Sequence, residues 1–237
     1  MFVVEKEPMS IASESYRTLR TNIEYSSFNE SLKTIVVTSS EPGEGKTTTA
    51  GNLALSLAQN EKRVLLIDCD LRRGSVHRRF MLSNGEGLSE VIVGKASLEK
   101  VIRGVAENLD VITTGNLPPN PSEMLGSKHM ETLIKELREK YDYIILDTPP
   151  VLAVTDAQIL STKVDGTILV VRAEKTKKEN VINAKKLLDK VKANVIGTVF
   201  NGIEAKRTNY YHYYGNEDKK NKKTKKKRVV ALGKAVG

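Results

Sequence analysis

The sequence predicts an α/β domain on a mostly parallel sheet, and three observations carry this. Short apolar runs rich in β-branched residues recur at 35–37, 64–67, 109–113, 143–146, 166–171 and 194–200, with helical stretches between most of them. That alternation is the pattern of crossover-connected strands. The central runs are continuous rather than alternating, as strands covered on both faces require. The first run leads into a glycine-containing loop and then a helix, the commonest way such a sheet builds a ligand site.

Composition narrows the class. A chain of 237 residues can hold one α/β domain with a full core, or two small ones. No run of 18 apolar residues exists, so no membrane-crossing helix is expected, and residues 1–8 are too short and too acidic for a secretory signal. Cys69 is the single cysteine, which excludes a disulfide framework and suits a reducing cytoplasm. The net charge of +9 is concentrated at one end. Nine basic and two acidic residues in 217–237 carry +7, leaving +2 for residues 1–216. A near-neutral body argues against a broad nucleic-acid-binding face.

Residues 10–27 read as an amphipathic helix. Ser10 suits the N-cap, and Ala12, Tyr16, Leu19 and Ile23 form one stripe. Glu14, Arg17 and Arg20 lie off that stripe, and by spacing alone they are a solvated face.

The phosphate-loop candidate runs from Thr34 to Thr49. Ile35, Val36 and Val37 suit a buried strand; Pro42, Gly43 and Gly45 interrupt it; Ala50, Leu53, Ala54 and Leu57 continue at helical spacing. Glycines let backbone N–H groups approach phosphate oxygens, and a helix N-terminus adds partial positive charge. The segment Gly43, Glu44, Gly45, Lys46, Thr47, Thr48 is therefore the expected nucleotide cradle. Lys46 reaches the outer phosphates and the Thr47 hydroxyl ligates Mg²⁺ in such loops. The usual first glycine of the pattern is Ser40 here.

Val64–Ile67 reads as a central strand, with Asp68 and Asp70 at its carboxyl end and Arg72 and Arg73 beyond, where they could contact phosphate. Carboxylates there face the edge where the phosphate loop lies, and can hold Mg²⁺ or accept a proton from an attacking hydroxyl. Residues 74–108 give only short helical pieces around 88–93 and 98–102, and 109–113 is a short strand. Asn120, Pro121 and Glu123 read as an N-cap, first-turn proline and capping box for a helix continuing to about Lys140. Tyr143–Leu146 is a strand ending at Asp147, a Walker B arrangement. Thr155 and Asp156 open a short helix, and 177–191 is a longer one with Val181, Ala184, Leu187, Leu188 and Val191 inward. Asn201 ends the last strand. Asn-Gly suits a turn, and an amide there also suits hydrogen bonding to a base.

The body is expected to span 1–203, with 204–237 a flexible tail. Tyr210, Tyr211, Tyr213 and Tyr214 cluster there, ahead of eight cations at 219–228. A run so poor in apolar residues cannot offset its ordering entropy.

Taken together, Glu14-x-x-Arg17-x-x-Arg20, Pro42-Gly-Glu-Gly-Lys-Thr47, Leu65-Leu-Ile-Asp-x-Asp-x-Arg72, Pro118-Pro-Asn-Pro121, Ile144-Ile-Leu-Asp147 and the tyrosine cluster resemble the bacterial tyrosine kinases of capsule and exopolysaccharide systems. The resemblance covers residues 11–214. It implies a P-loop NTPase-type fold binding ATP and Mg²⁺. Lys46, Asp68 and Asp70 become catalytic, with Asp68 activating the tyrosine hydroxyl, and Thr47, Asp70 and Asp147 hold the metal. It also implies that Glu14, Arg17 and Arg20 join subunits of a homo-oligomeric ring, overturning the solvated-face account. Tyr210, Tyr211, Tyr213 and Tyr214 would be phosphorylated in trans. The want of a membrane span resembles the split form of the family, cytoplasmic and recruited to the inner face of the plasma membrane by a transmembrane activator. Other proteins carrying tyrosine would be further substrates, and residues 219–228 offer a contact for anionic lipid. The rival is a partition or division-site ATPase switch assembling on a membrane partner. Those proteins carry a second lysine early in the loop, where this chain has Glu41.

Overall fold

The computed structural model describes residues 2–26 and 32–203. Seven strands form one sheet: β1 (Thr34–Ser39), β2 (Val64–Asp68), β3 (Arg103–Ala106), β4 (Leu109–Ile112), β5 (Tyr143–Asp147), β6 (Gly166–Arg172) and β7 (Val195–Asn201). Their order is β3-β4-β2-β5-β1-β6-β7, and only the β3–β4 pair is antiparallel. The expected mostly parallel α/β fold is therefore observed. β3 was not foreseen. Its sequence, Arg-Gly-Val-Ala, is largely exposed and has no apolar run to announce it; it forms by pairing with β4 at the sheet edge.

Side chains of the central strands alternate between two cores, which is why the sequence shows them as continuous apolar runs. On one face Ile35, Val37, Val64, Leu66, Tyr143 and Ile145 pack with α3 (Lys46–Ala58), and on the other Val36, Leu65, Ile67, Ile144 and Leu146 pack with α8 (Lys128–Lys140). A smaller cluster joins Leu169 and Val171 to Ala157, Ala184 and Leu188.

Helix α3 is buried nearly all round, because α1 (Val3–Lys6) and α2 (Ile11–Ser26) cover the side away from the sheet. Phe2 lies against Gly51, where an added Cβ would come within 2.2 Å of its ring, and 4.7 Å from the ring of Phe80 in α4 (Val76–Phe80). The Val4 amide donates to Asn52 Oδ1, and Asn52 Nδ2 donates to the Thr48 carbonyl, so the N-terminal segment is tied to the first turns of α3.

Ser10 caps α2 by accepting from the Ser13 amide at 3.2 Å. The inward stripe differs from the expected one by one position at its start. Ala12 is exposed, and Ser13 is buried because its hydroxyl donates to the carbonyls of Glu7 and Val3. The helix expected from Pro121 to Lys140 is two helices, α7 (Pro121–Gly126) and α8. Ser127 adopts extended backbone between them and caps α8, accepting from the Met130 amide. The capping box at Asn120 does not form, since its side chain accepts no capping hydrogen bond. Short helices α5 (Leu88–Ile92), α6 (Leu98–Val101) and α9 (Asp156–Ser161), with α10 (Lys178–Lys190), complete the set. The first compact unit ends at Gly202. Among the described residues no helix is long and apolar enough to cross a membrane. Tyr210–Tyr214 and the cations of 219–228 lie outside the described residues.

Candidate active site

Strand register builds the site. In parallel pairing Asp68 stands opposite Asp147, and Asp147 stands opposite Val37 of β1, the strand that enters the phosphate loop. The carboxyl ends of three neighbouring strands thus present their chemistry at one edge.

The loop after β1 turns through Gly43 at φ +82° and Gly45 at φ +97°, left-handed positions that only glycine takes without strain. Gly45 is needed for a second reason: an added Cβ would lie 1.9 Å from Asn201 Nδ2. That amide donates to the Glu44 carbonyl at 2.9 Å. Asn201 therefore braces the loop, while Gly202 at φ +77° makes the turn that Asn-Gly suggested. Helix α3 starts at Lys46, with Gly45 at its N-cap, so its free amides open onto the loop.

Lys46 Nζ lies 3.6 Å from Asp70 Oδ2, and Ser75 Oγ donates to Thr47 Oγ1 at 3.2 Å, joining the β2 loop to the phosphate loop twice. Asp68 is fully buried. Its Oδ1 accepts the Asp70 amide, and its Oδ2 accepts the amides of Ser75 and Val76 at the start of α4. Burial, and then the negative charge of Asp147, push its pKa well above the carboxylate range, against those amide bonds. Asp70 Oδ1 accepts the Arg73 amide, which shapes the turn between them.

Asp147 is the outlier. It is fully buried, and neither oxygen makes a hydrogen bond of full geometry with the described residues, although the Thr47 hydroxyl is close enough to favour its charged form. Burial raises its pKa, opposed by the Lys46 ammonium and the neighbouring Thr47 hydroxyl. A buried carboxylate without donors is costly, and such groups are normally paired or coordinate metals. Asp147, Asp70 and the Thr47 hydroxyl form a hard-oxygen set that fits Mg²⁺.

Other expected residues fall elsewhere. Glu44 carries a side chain only 3% exposed that accepts the amides of Ser40 and Glu41, so its carboxylate is turned into the loop's own frame. Arg72 is held by Asp156 and Ser122 on α9 and α7 rather than left free for phosphate. Glu14 and Arg17 pair at 2.8 Å on the outer face of α2, and Arg17 also reaches the Pro8 carbonyl. Arg20 is different: its guanidinium donates to the Ser56 carbonyl of α3 and lies 3.9 Å from Glu24, so it is largely turned onto the body. These three residues are not brought to the nucleotide edge. Glu44, Thr176, Ser75 and Asn201 all contribute to the loop's frame. Of these, Glu44 and Asn201 carried a sequence signal, the first as a member of the expected nucleotide cradle and the second at a strand's carboxyl end.

Comparison with known proteins places the family. A family model described as an AAA domain matches residues 32–198. Tyrosine-protein kinase YwqD of Bacillus subtilis is 48% identical over 206 residues, covering 86% of this chain and 87% of that protein. The chain belongs to the bacterial tyrosine-kinase family. The solved kinase domain of Escherichia coli ETK superposes with a TM-score of 0.83 at 37% identity, covering 88% of this chain and 82% of that one. The septum site-determining protein MinD of Pyrococcus horikoshii, solved with Mg-ADP, gives 0.62 at 25% identity, with 74% and 72% covered. The tyrosine-kinase likeness is the stronger of the two, which decides against the division-site ATPase rival as the chain's family.

Proposed function

We propose that this protein is an ATP-dependent protein-tyrosine kinase acting in capsule or exopolysaccharide synthesis. The observation that carries the proposal is the meeting of Lys46, Thr47, Asp70 and the poorly satisfied Asp147 at one sheet edge, from the carboxyl ends of three strands far apart in sequence. Kinship with YwqD and ETK supports tyrosine as the acceptor.

In phosphoryl transfer, positioning and charge neutralisation supply most of the catalysis. The α3 amides and the Lys46 ammonium would hold the outer phosphates of ATP, with Lys46 exchanging its Asp70 partner for phosphate oxygen. Bound Mg²⁺ would neutralise charge on those phosphates, held by Thr47, Asp70 and Asp147. Asp68 is the proposed acceptor of the tyrosine proton. Its Oδ1 takes one amide only, leaving a lone pair, and its raised pKa brings it toward the operating range of a general base. Thr48 and Gly43 complete the cradle through backbone groups.

The acceptors are Tyr210, Tyr211, Tyr213 and Tyr214 of a neighbouring subunit, and tyrosines of other proteins. A tethered tail supplies substrate at high effective concentration. Glu14, Arg17 and the part of Arg20 left exposed serve ring assembly from α2, and a transmembrane activator brings the enzyme to the inner membrane surface.

The test is phosphotyrosine detection after incubating purified protein with ATP and Mg²⁺, with and without a candidate activator segment. Lys46→Met should abolish the signal, and changing all four tail tyrosines to Phe should remove most self-labelling. Undiminished γ-phosphate incorporation by the tetra-Phe protein would show that the cluster is not the target.

A further inference from the structure

Glu44 takes no part in the proposed chemistry. It sits in the middle of a loop meant for polyphosphate, yet carries a negative charge of its own. That charge is absorbed internally. One carboxylate oxygen, Oε2, accepts the Ser40 amide at 2.7 Å and the Glu41 amide at 3.1 Å. The other, Oε1, accepts the hydroxyl of Thr176, which lies on the turn between β6 and α10.

Thr176 is itself fixed from two directions. Its amide donates to the Arg172 carbonyl at 3.0 Å, and its Oγ1 accepts the Arg172 amide at 3.1 Å. With that N–H donating into the oxygen, the hydroxyl proton is directed at Glu44. Arg172 pairs with Asn201 across β6 and β7, and Asn201 holds the Glu44 carbonyl. Both polar ends of Glu44 are thus gripped, by Thr176 just past the end of β6 and by Asn201 at the end of β7, 132 and 157 positions downstream.

We infer that Thr176 is a positioning residue of the phosphate loop, acting through Glu44. The buried carboxylate serves as an internal anion on which the amides at the start of the loop are organised, and the Thr176 hydroxyl fixes where it stands. Without that donor a buried charge is left short of a partner, and the loop relaxes toward water to satisfy it. The inference rests on the nucleotide-binding role proposed for the loop, but it also makes a claim about the nucleotide-free protein.

Two measurements on the full chain test it. In hydrogen exchange without nucleotide, Thr176→Val should speed exchange at the Ser40 and Glu41 amides by about tenfold, the scale of one unmade charge-assisted hydrogen bond, and Thr176→Ser should restore them. In titration with a fluorescent ATP analogue, Thr176→Val should weaken binding by about tenfold. Glu44→Ala removes both acceptor oxygens, so it should make the further change at Thr176 nearly silent. Unchanged exchange at Ser40 and Glu41 in Thr176→Val overturns the latch whatever the ligand does. Additive losses in the Glu44→Ala, Thr176→Val pair overturn it as well. Wild-type protein that fails to bind the analogue sinks the kinase proposal instead, leaving the exchange result to decide the latch.

Discussion

Asp68 and Asp147 are register partners, the last residues of two adjacent parallel strands, and both are wholly buried. Three backbone amides satisfy the first, whereas the second makes no hydrogen bond of full geometry with the described residues and has only the nearby Lys46 ammonium and Thr47 hydroxyl to offset its charge. The pair is electrostatically unfavourable by itself, and that tension makes activity and stability respond in opposite directions.

Asp147→Asn should therefore stabilise the nucleotide-free protein while destroying its chemistry. Removing a buried charge that is only partly compensated is expected to gain about 1 kcal/mol, which for a chain of this size raises Tm by about 2–4 °C. Phosphotyrosine formation should fall by about a hundredfold or more. Calorimetry beside a labelling assay checks both halves, and a lower melting temperature at pH 8 would contradict the account.

The same pair fixes the sign of a pH effect. Asp68 and Asp147 bind protons more tightly in the folded state than in the unfolded chain, where a carboxyl titrates near pH 4. The folded form then carries more protons above that point. Stability should fall as pH climbs from about 4 through the raised folded-state values, and level off beyond them. Urea midpoints from pH 4.5 to 8 should decline more steeply for wild type than for Asp147→Asn. Parallel curves would refute this.

Gly45→Ala places a methyl group at φ +97° and 1.9 Å from Asn201 Nδ2. A strained backbone costs on the order of 1–3 kcal/mol, and nucleotide binding should be lost with it. Adding Asn201→Ala relieves the collision but not the strain, so the double variant should recover stability only in part.

Residues of the α2 motif should separate in their effects. Glu14→Ala breaks an exposed i,i+3 pair of small value, about 0.5 kcal/mol at most, and should leave monomer stability near wild type. Arg20→Ala deprives the Ser56 carbonyl of its partner and should cost roughly 1–2 kcal/mol. Light scattering with thermal melts distinguishes the two: an assembly defect without a melting change for Glu14, and both together for Arg20.

The tail carries a charge-based prediction. Each phosphotyrosine adds about −1.5 to −2 charge, so four would roughly cancel the eight cations of 219–228. Phosphorylated protein should co-sediment less with vesicles containing anionic lipid than unphosphorylated protein, and the difference should shrink with added salt.

What could be read from the sequence was whatever local pattern controls. Val64–Ile67 and Tyr143–Leu146 announced central strands because burial on both faces leaves no polar alternation, and the Gly-Lys-Thr run announced its loop. Parallel order then brought Asp68 and Asp147 together without further information. Features set by distant partners were silent. β3 exists because β4 offers it an edge. Ser13 is buried because two carbonyls nine or fewer positions from the helix start need its hydroxyl. Glu44 was expected to face nucleotide, since nothing nearby in sequence reveals that Thr176 waits for it. Ser127 is intermediate: Gly126 ahead of it was a visible breaker, but the apolar spacing on either side masked the interruption.

Phe2, wedged between Gly51 of α3 and Phe80 of α4, touches the two helices whose first turns carry Thr47 and cap Asp68. Any pull on the chain ahead of that ring is transmitted to both. Anchorage of the first residues is thereby linked to the chemistry: whatever loosens the Phe2 ring slackens both helices at once, from a point well outside the site itself.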